Sequence, residues 1–182
     1  SYDEGDYDGY SISDQYDFLQ LIGIIFSPPK TTVLSGIQTV FPPLSWPEWD
    51  VQEYAIMIWE GWSDNNTPEI LLDTFNGIVH LGSGNGLRDG GWAHISFVNK
   101  QILVEESKKY YIEIKYVGIG GIYPFDKSQY STTNADGLSF YRGNIDQACT
   151  EFENGDWNIR AILSGKNCDD IENMEIWPGD TD

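Results

Sequence analysis

Apolar and polar positions alternate along much of this chain in short runs, and no run keeps a helical period. EYAIMIW (Glu53 to Trp59), WAHISFV (Trp92 to Val98), YYIEIKYV (Tyr110 to Val117), LSFY (Leu138 to Tyr141) and WNIRAIL (Trp157 to Leu163) are rich in β-branched and aromatic residues. Gly, Asn, Asp or Pro bounds each of them, which is the signature of strands between turns. Phe18 to Phe26, Thr32 to Val40 and Glu69 to Val79 are weaker candidates, the last readable as two short strands with a kink at Gly77. About eight strands result. In YYIEIKYV, Tyr110, Ile112, Ile114 and Tyr116 share one face, and Tyr111, Glu113, Lys115 and Val117 share the other, a half-wet pattern. In WNIRAIL, Trp157, Ile159, Ala161 and Leu163 face inward, and Arg160 lies on the outer face, where a surface ion pair with Glu113 is expected.

One-sided strands need a second layer. The pattern therefore predicts an all-β fold, an antiparallel two-sheet β-sandwich of jelly-roll type. A lipocalin-like barrel is the second choice, since PPLSWPEW and YPFDKSQYSTTNAD are long for its hairpins. A length of 182 residues suits one domain with a sizeable core. We expect an acidic N-terminal segment (1–17), the sandwich (18–165) and an acidic C-terminal tail or linker (166–182).

Charge narrows the partners. The formal net charge is −19, from 29 acids and 10 bases, and such a field repels nucleic acid and anionic membrane faces. The longest apolar run, Phe18 to Phe26, is too short to span a bilayer and is broken by Gln20 and Gly23. The sequence opens without a basic-then-apolar leader, so for an exported protein the signal is expected to have been removed already. Asp3, Glu4, Asp6, Asp8, Asp14 and Asp17 crowd residues 1–17 without a base, and residues 166–182 hold six acids beside Lys166. These segments are either solvated tails or cation ligands. Asp180 and Asp182 match the first and third ligand positions of a D-x-[DN]-x-[DN]-G calcium loop that continues no further. The metal candidates are thus Asp3, Asp6, Asp8, Asp180 and Asp182, with calcium as the ion, shared with a neighbouring domain or subunit.

Catalytic chemistry finds little support. HLGSGNGLRDGG (His80 to Gly91) has Leu87 where a dinucleotide loop needs its third glycine, and no Lys-Ser/Thr pair follows. His80 and His94 are the two histidines, and His94 reads as a polar residue on a sheet surface. Carboxylate pairs are too abundant to be informative. A non-enzyme is expected. Cys149 and Cys168 suit a disulfide, and with it a place outside the cytoplasm, better than a zinc site; a pair of buried free thiols is the alternative. Trp46 and Trp49 in FPPLSWPEW, with Trp62 in the next turn, either plug the sandwich ends or stack on sugar rings beside Glu48, Asp50, Asp64 and Asn65. Asn65-Asn66-Thr67 is a sequon for N-linked glycan at Asn65, disfavoured by Pro68.

The order YDEGDYDGYS, WEG followed by NNTPEILL, GGWAHISF, KYYIEIKY and NGDWNIRA resembles β-sandwich modules of secreted Bacteroidetes-type surface proteins. Those modules are similar to cleaved-adhesin, gingipain-type jelly rolls, and WPGDTD resembles the start of a dockerin-like calcium repeat. The resemblance spans roughly Tyr2 to Gly165 and Trp177 to Asp182. It implies export, possible calcium binding, and non-catalytic structural or adhesive work in a cell-surface protein or fibre. A carbohydrate-binding module of a larger secreted enzyme is the alternative, with a polysaccharide as partner.

Overall fold

A computed structural model describes residues 9–12, 21–41, 51–80, 91–97, 100–117, 122–126, 138–152, 156–164 and 175–178. Its strands are β1 (Gly9–Ile12), β2 (Leu21–Phe26), β3 (Thr32–Phe41), β4 (Val51–Trp62), β5 (Pro68–His80), β6 (Gly91–Ser96) and β7 (Ile102–Val104). Then follow β8 (Tyr110–Val117), β9 (Ile122–Asp126), β10 (Ser139–Arg142), β11 (Thr150–Glu151), β12 (Asp156–Trp157), β13 (Ile159–Ser164) and β14 (Glu175–Pro178). No helix occurs among the described residues.

The fold is an all-β sandwich. One sheet has six strands in the order β11-β10-β2-β8-β4-β5, and the other runs β14-β13-β3-β6 with β7 also on β3. A small sheet, β1-β9-β12, completes the set. The pairings are antiparallel throughout. The chain passes from one large sheet to the other at β2–β3, β3–β4, β5–β6 and β7–β8, so neither sheet closes without the other. Between them lies the main core. Ile22, Ile24, Ile56, Ile58, Ile112 and Ile114 come from the six-stranded sheet, and Leu34, Ile37, Ile95, Val104, Ala161 and Leu163 from the facing one. The inward row expected in β12 and β13 is present, since Trp157, Ile159, Ala161 and Leu163 all belong to this core.

β2 shows why an unbroken apolar run matters. All six residues of LIGIIF are buried, as a strand covered on both faces requires. Ile22, Ile24 and Phe26 enter the main core, while Leu21 and Ile25 enter a second cluster on the opposite face of the same sheet. Gly23 fits there because the Tyr111 ring lies over it and a Cβ would strike that ring and the Ile112 carbonyl.

β5 departs from the two-strand reading. It is one strand of 13 residues, and the expected kink at Gly77 is absent because Gly77 stands opposite Tyr54 in the β4 register. The Tyr54 phenol occupies the space a Gly77 side chain would need, so cross-strand aromatic packing replaces what the glycine lacks. The irregularity lies elsewhere, as a register shift between Ile58 and Trp59. Two short strands also lie in the segments expected to be tails. β1 pairs with β9, and β14 with β13.

Candidate functional site

The outer face of the six-stranded sheet was expected to be half wet, and the structure corrects this. Tyr111 and Glu113 are both 0% exposed. Leu21, Ile25, Met57, Trp59, Tyr111, Phe140 and Cys149 form a second core there, with Trp62 and Leu138 packed against it. The physical reason is the segment after β10. Cys149 N–H donates to the Asn66 carbonyl at 2.7 Å, tying residues 143–149 to the turn after β4.

Glu113 is therefore not a surface partner of Arg160. The two residues stand in different sheets, Arg160 on β13 and Glu113 on β8. The partner of Glu113 is Arg142, whose Nε donates to Oε1 and Nη2 to Oε2, both at 2.6 Å. The side chains are 1% and 0% exposed. Arg142 Nη1 donates to the carbonyls of Ile145 at 2.6 Å and Gln147 at 3.3 Å, so one guanidinium joins the sheet to the covering segment. Its carbon also lies 5.3 Å from the Trp59 ring centroid, a cation–π contact.

Burial governs the ionisation here. It pushes the Glu113 carboxyl up from its ordinary value, against the opposing pull of Arg142, Trp59 and Tyr111. The buried Trp59 indole N–H makes no hydrogen bond among the described residues. For Arg142, burial favours the neutral form, but Glu113 outweighs it and holds the guanidinium charged. Burial also raises the Tyr111 phenol and pushes the Cys149 thiol up to about 11. Cys149 Sγ lies 3.8 Å from the Tyr111 hydroxyl. A protonated thiol sealed under a loop is a poor nucleophile, and a buried carboxyl held bidentately by a charged guanidinium is a poor acid or base. The cluster works as a latch.

The sequence-predicted site residues are scattered relative to this latch. Trp62 ends β4 and packs its ring 4.9 Å from Tyr111 and 4.6 Å from Phe140, giving it a part in the second core. Trp46 and Trp49 lie outside the described residues, as do Asp3, Asp6, Asp8, Asp180 and Asp182. Among the described residues no group of three or more His, Cys, Asp or Glu is placed to hold a metal. Cys149 is buried and bonded to no cysteine among the described residues, and its expected partner Cys168 lies outside them. Asn65 is exposed in a tight turn in which Ser63 N–H donates to the Thr67 carbonyl at 3.0 Å and Asn66 N–H to the Ser63 carbonyl at 3.1 Å. His94 is exposed on β6.

The other distinctive feature is β5. It is an edge strand, paired with β4 alone among the described residues, and it exposes Ile70, Leu71, Leu72 and Ile78. Lys100 closes one flank, its Nζ 2.6 Å from Asp73 Oδ1 and 4.6 Å from the Phe75 ring centroid.

The chain matches no protein-family model and no curated protein.

Sequence reasoning missed Arg142 and the length of β5. The signal for Arg142 was its alternation with Phe140, which places it on the second-core face. For β5 the local signal pointed the other way, since Asp73 and Asn76-Gly77 are turn residues and the pairing with β4 carries the strand through them.

Proposed function

We propose that this chain is a non-catalytic extracellular β-sandwich module, of jelly-roll type, that serves as a structural or adhesive unit of a cell-surface protein or fibre. The observation that carries the reading is β5, a 13-residue edge strand with four exposed aliphatic side chains. An edge of that length and character offers main-chain pairing and apolar cover to another molecule. The latch supports the same reading, because Glu113 and Arg142 satisfy each other and stiffen the sheet that carries the edge. Calcium bound by Asp3, Asp6, Asp8, Asp180 and Asp182 joins neighbouring units in this account, and its removal should lower the assembly size or melting temperature of multi-unit material. Adherence of the source cells tests the function. A strain lacking the protein should adhere or cohere less and regain adherence on complementation; unchanged adherence would contradict the proposal.

A further inference from the structure

β5 lacks most protections that keep sheet edges unpaired. It contains no lysine, its proline is its first residue, and Ile70 and Ile78 are 55% and 54% exposed. The protections it has lie toward its first half, where the register with β4 shifts between Leu71 and Asp73 and an acid sits on the edge. Asp73 Oδ1 accepts the Thr74 backbone N–H at 2.8 Å, which aims that N–H away from the β4 ladder. In an antiparallel pair the outward groups recur at every second residue, so the N–H and C=O of Asn76 and Ile78 also face away from β4. Asp73 caps one outward donor, and among the described residues no strand pairs with the outer side of the stretch from Asn76 to His80.

Charge selects the occupant. A second copy brings −19 against −19, and the acidic segments 1–17 and 166–182 would meet the same repulsive field. One acid stands beside the stretch, Glu53 opposite Ile78 on β4, and β5 itself carries acids, Glu69 and Asp73, and no base but the histidine at its end. Lys100, seated on Asp73 and the Phe75 ring, shows how the flank of β5 takes an ammonium group.

We infer that the Asn76–His80 end of β5 receives an extended strand of a second protein, in which apolar residues that cover Ile78 alternate with lysine or arginine. Main-chain hydrogen bonds supply the grip and the alternating side chains the selectivity. The inference rests on the adhesive reading and names the partner of the same edge.

The test uses the full chain and a synthetic peptide of alternating valine and lysine. Fluorescence anisotropy measures binding, and amide hydrogen exchange follows Asn76 and Ile78. The peptide should bind, more weakly as salt rises, and should slow exchange at those two amides. Asn76→Pro removes an outward donor without breaking the β4 ladder and should weaken binding about tenfold or more, a loss of about 1.4 kcal/mol. Ile78→Lys should do the same through charge and lost cover, and takes over the reading if Asn76→Pro fails to fold. No binding overturns the inference. Equal binding of a peptide N-methylated at alternate nitrogens overturns strand addition, and equal binding of a valine–glutamate peptide overturns the basic partner. A dimer of the chain alone that Asn76→Pro dissolves would assign the edge to a second copy instead. Loss of adherence in the deletion strain is independent of these outcomes, so failure of the inference and failure of the adhesive reading remain distinct.

Discussion

Replacing Glu113 with leucine leaves the Arg142 guanidinium, whose side chain is 1% exposed, without a counter-ion inside an apolar cluster. Removing one member of a buried ion pair costs about 3–5 kcal/mol, because the remaining charge is neither solvated nor paired. Arg142→Met should cost somewhat less, about 3 kcal/mol, since a carboxyl takes up a proton more readily than a guanidinium loses one. Replacing both residues restores an apolar cluster and should bring stability back to within about 2 kcal/mol of the wild type, or above it. The singles thus exceed the double by about 3 kcal/mol or more, the mark of a coupled pair. Urea unfolding followed by tryptophan fluorescence measures all four proteins of this cycle. The pH dependence of Arg142→Met adds a sign. Burial raises the Glu113 carboxyl, so its protonated form is the one the fold favours, and that contribution is complete below the unfolded pKa and lost as pH rises through the folded one. The cost of Arg142→Met should therefore shrink as pH falls from neutral toward the ordinary carboxyl range. Single-variant costs under about 1 kcal/mol that simply add would show a solvated pair and refute the sealed second core.

Gly23→Ala should destabilise by about 1–3 kcal/mol in the same assay, because its methyl group meets the Tyr111 ring and the Ile112 carbonyl. Asp73 is held below its ordinary pKa, first by the hydrogen bond from Lys100, so its contribution is present above the unfolded value and fades as pH falls through the folded one. Asp73→Asn should flatten the acid side of the stability profile below about pH 4 and cost less than about 1 kcal/mol at neutral pH, as surface pairs do. Burial pushes the Cys149 thiol up to about 11, so iodoacetamide at mildly alkaline pH should label it slowly in native protein and rapidly after unfolding. A mass gain on reduction would reveal the Cys149–Cys168 bond instead.

Local pattern was enough for the sandwich because both signals it uses, alternation and turn residues, are local. β8 was readable to the residue, and the inward row of β13 followed from period two alone. What alternation conceals is what covers the far face. YYIEIKYV looks half wet because Glu113 is an acid, yet a distant arginine and the segment after it make that acid a buried one. Short pairings such as β7 and β11 depend on a neighbour's register more than on their own composition, and left no legible trace. The β5 edge hid behind Gly77, whose breaking tendency Tyr54 cancels from the adjacent strand.

Immunogold labelling of intact, unpermeabilised source cells tests the surface-module reading most directly. The account predicts label on the cell exterior, on filaments or at cell–cell contacts. Label that appears only after the envelope is permeabilised would contradict it.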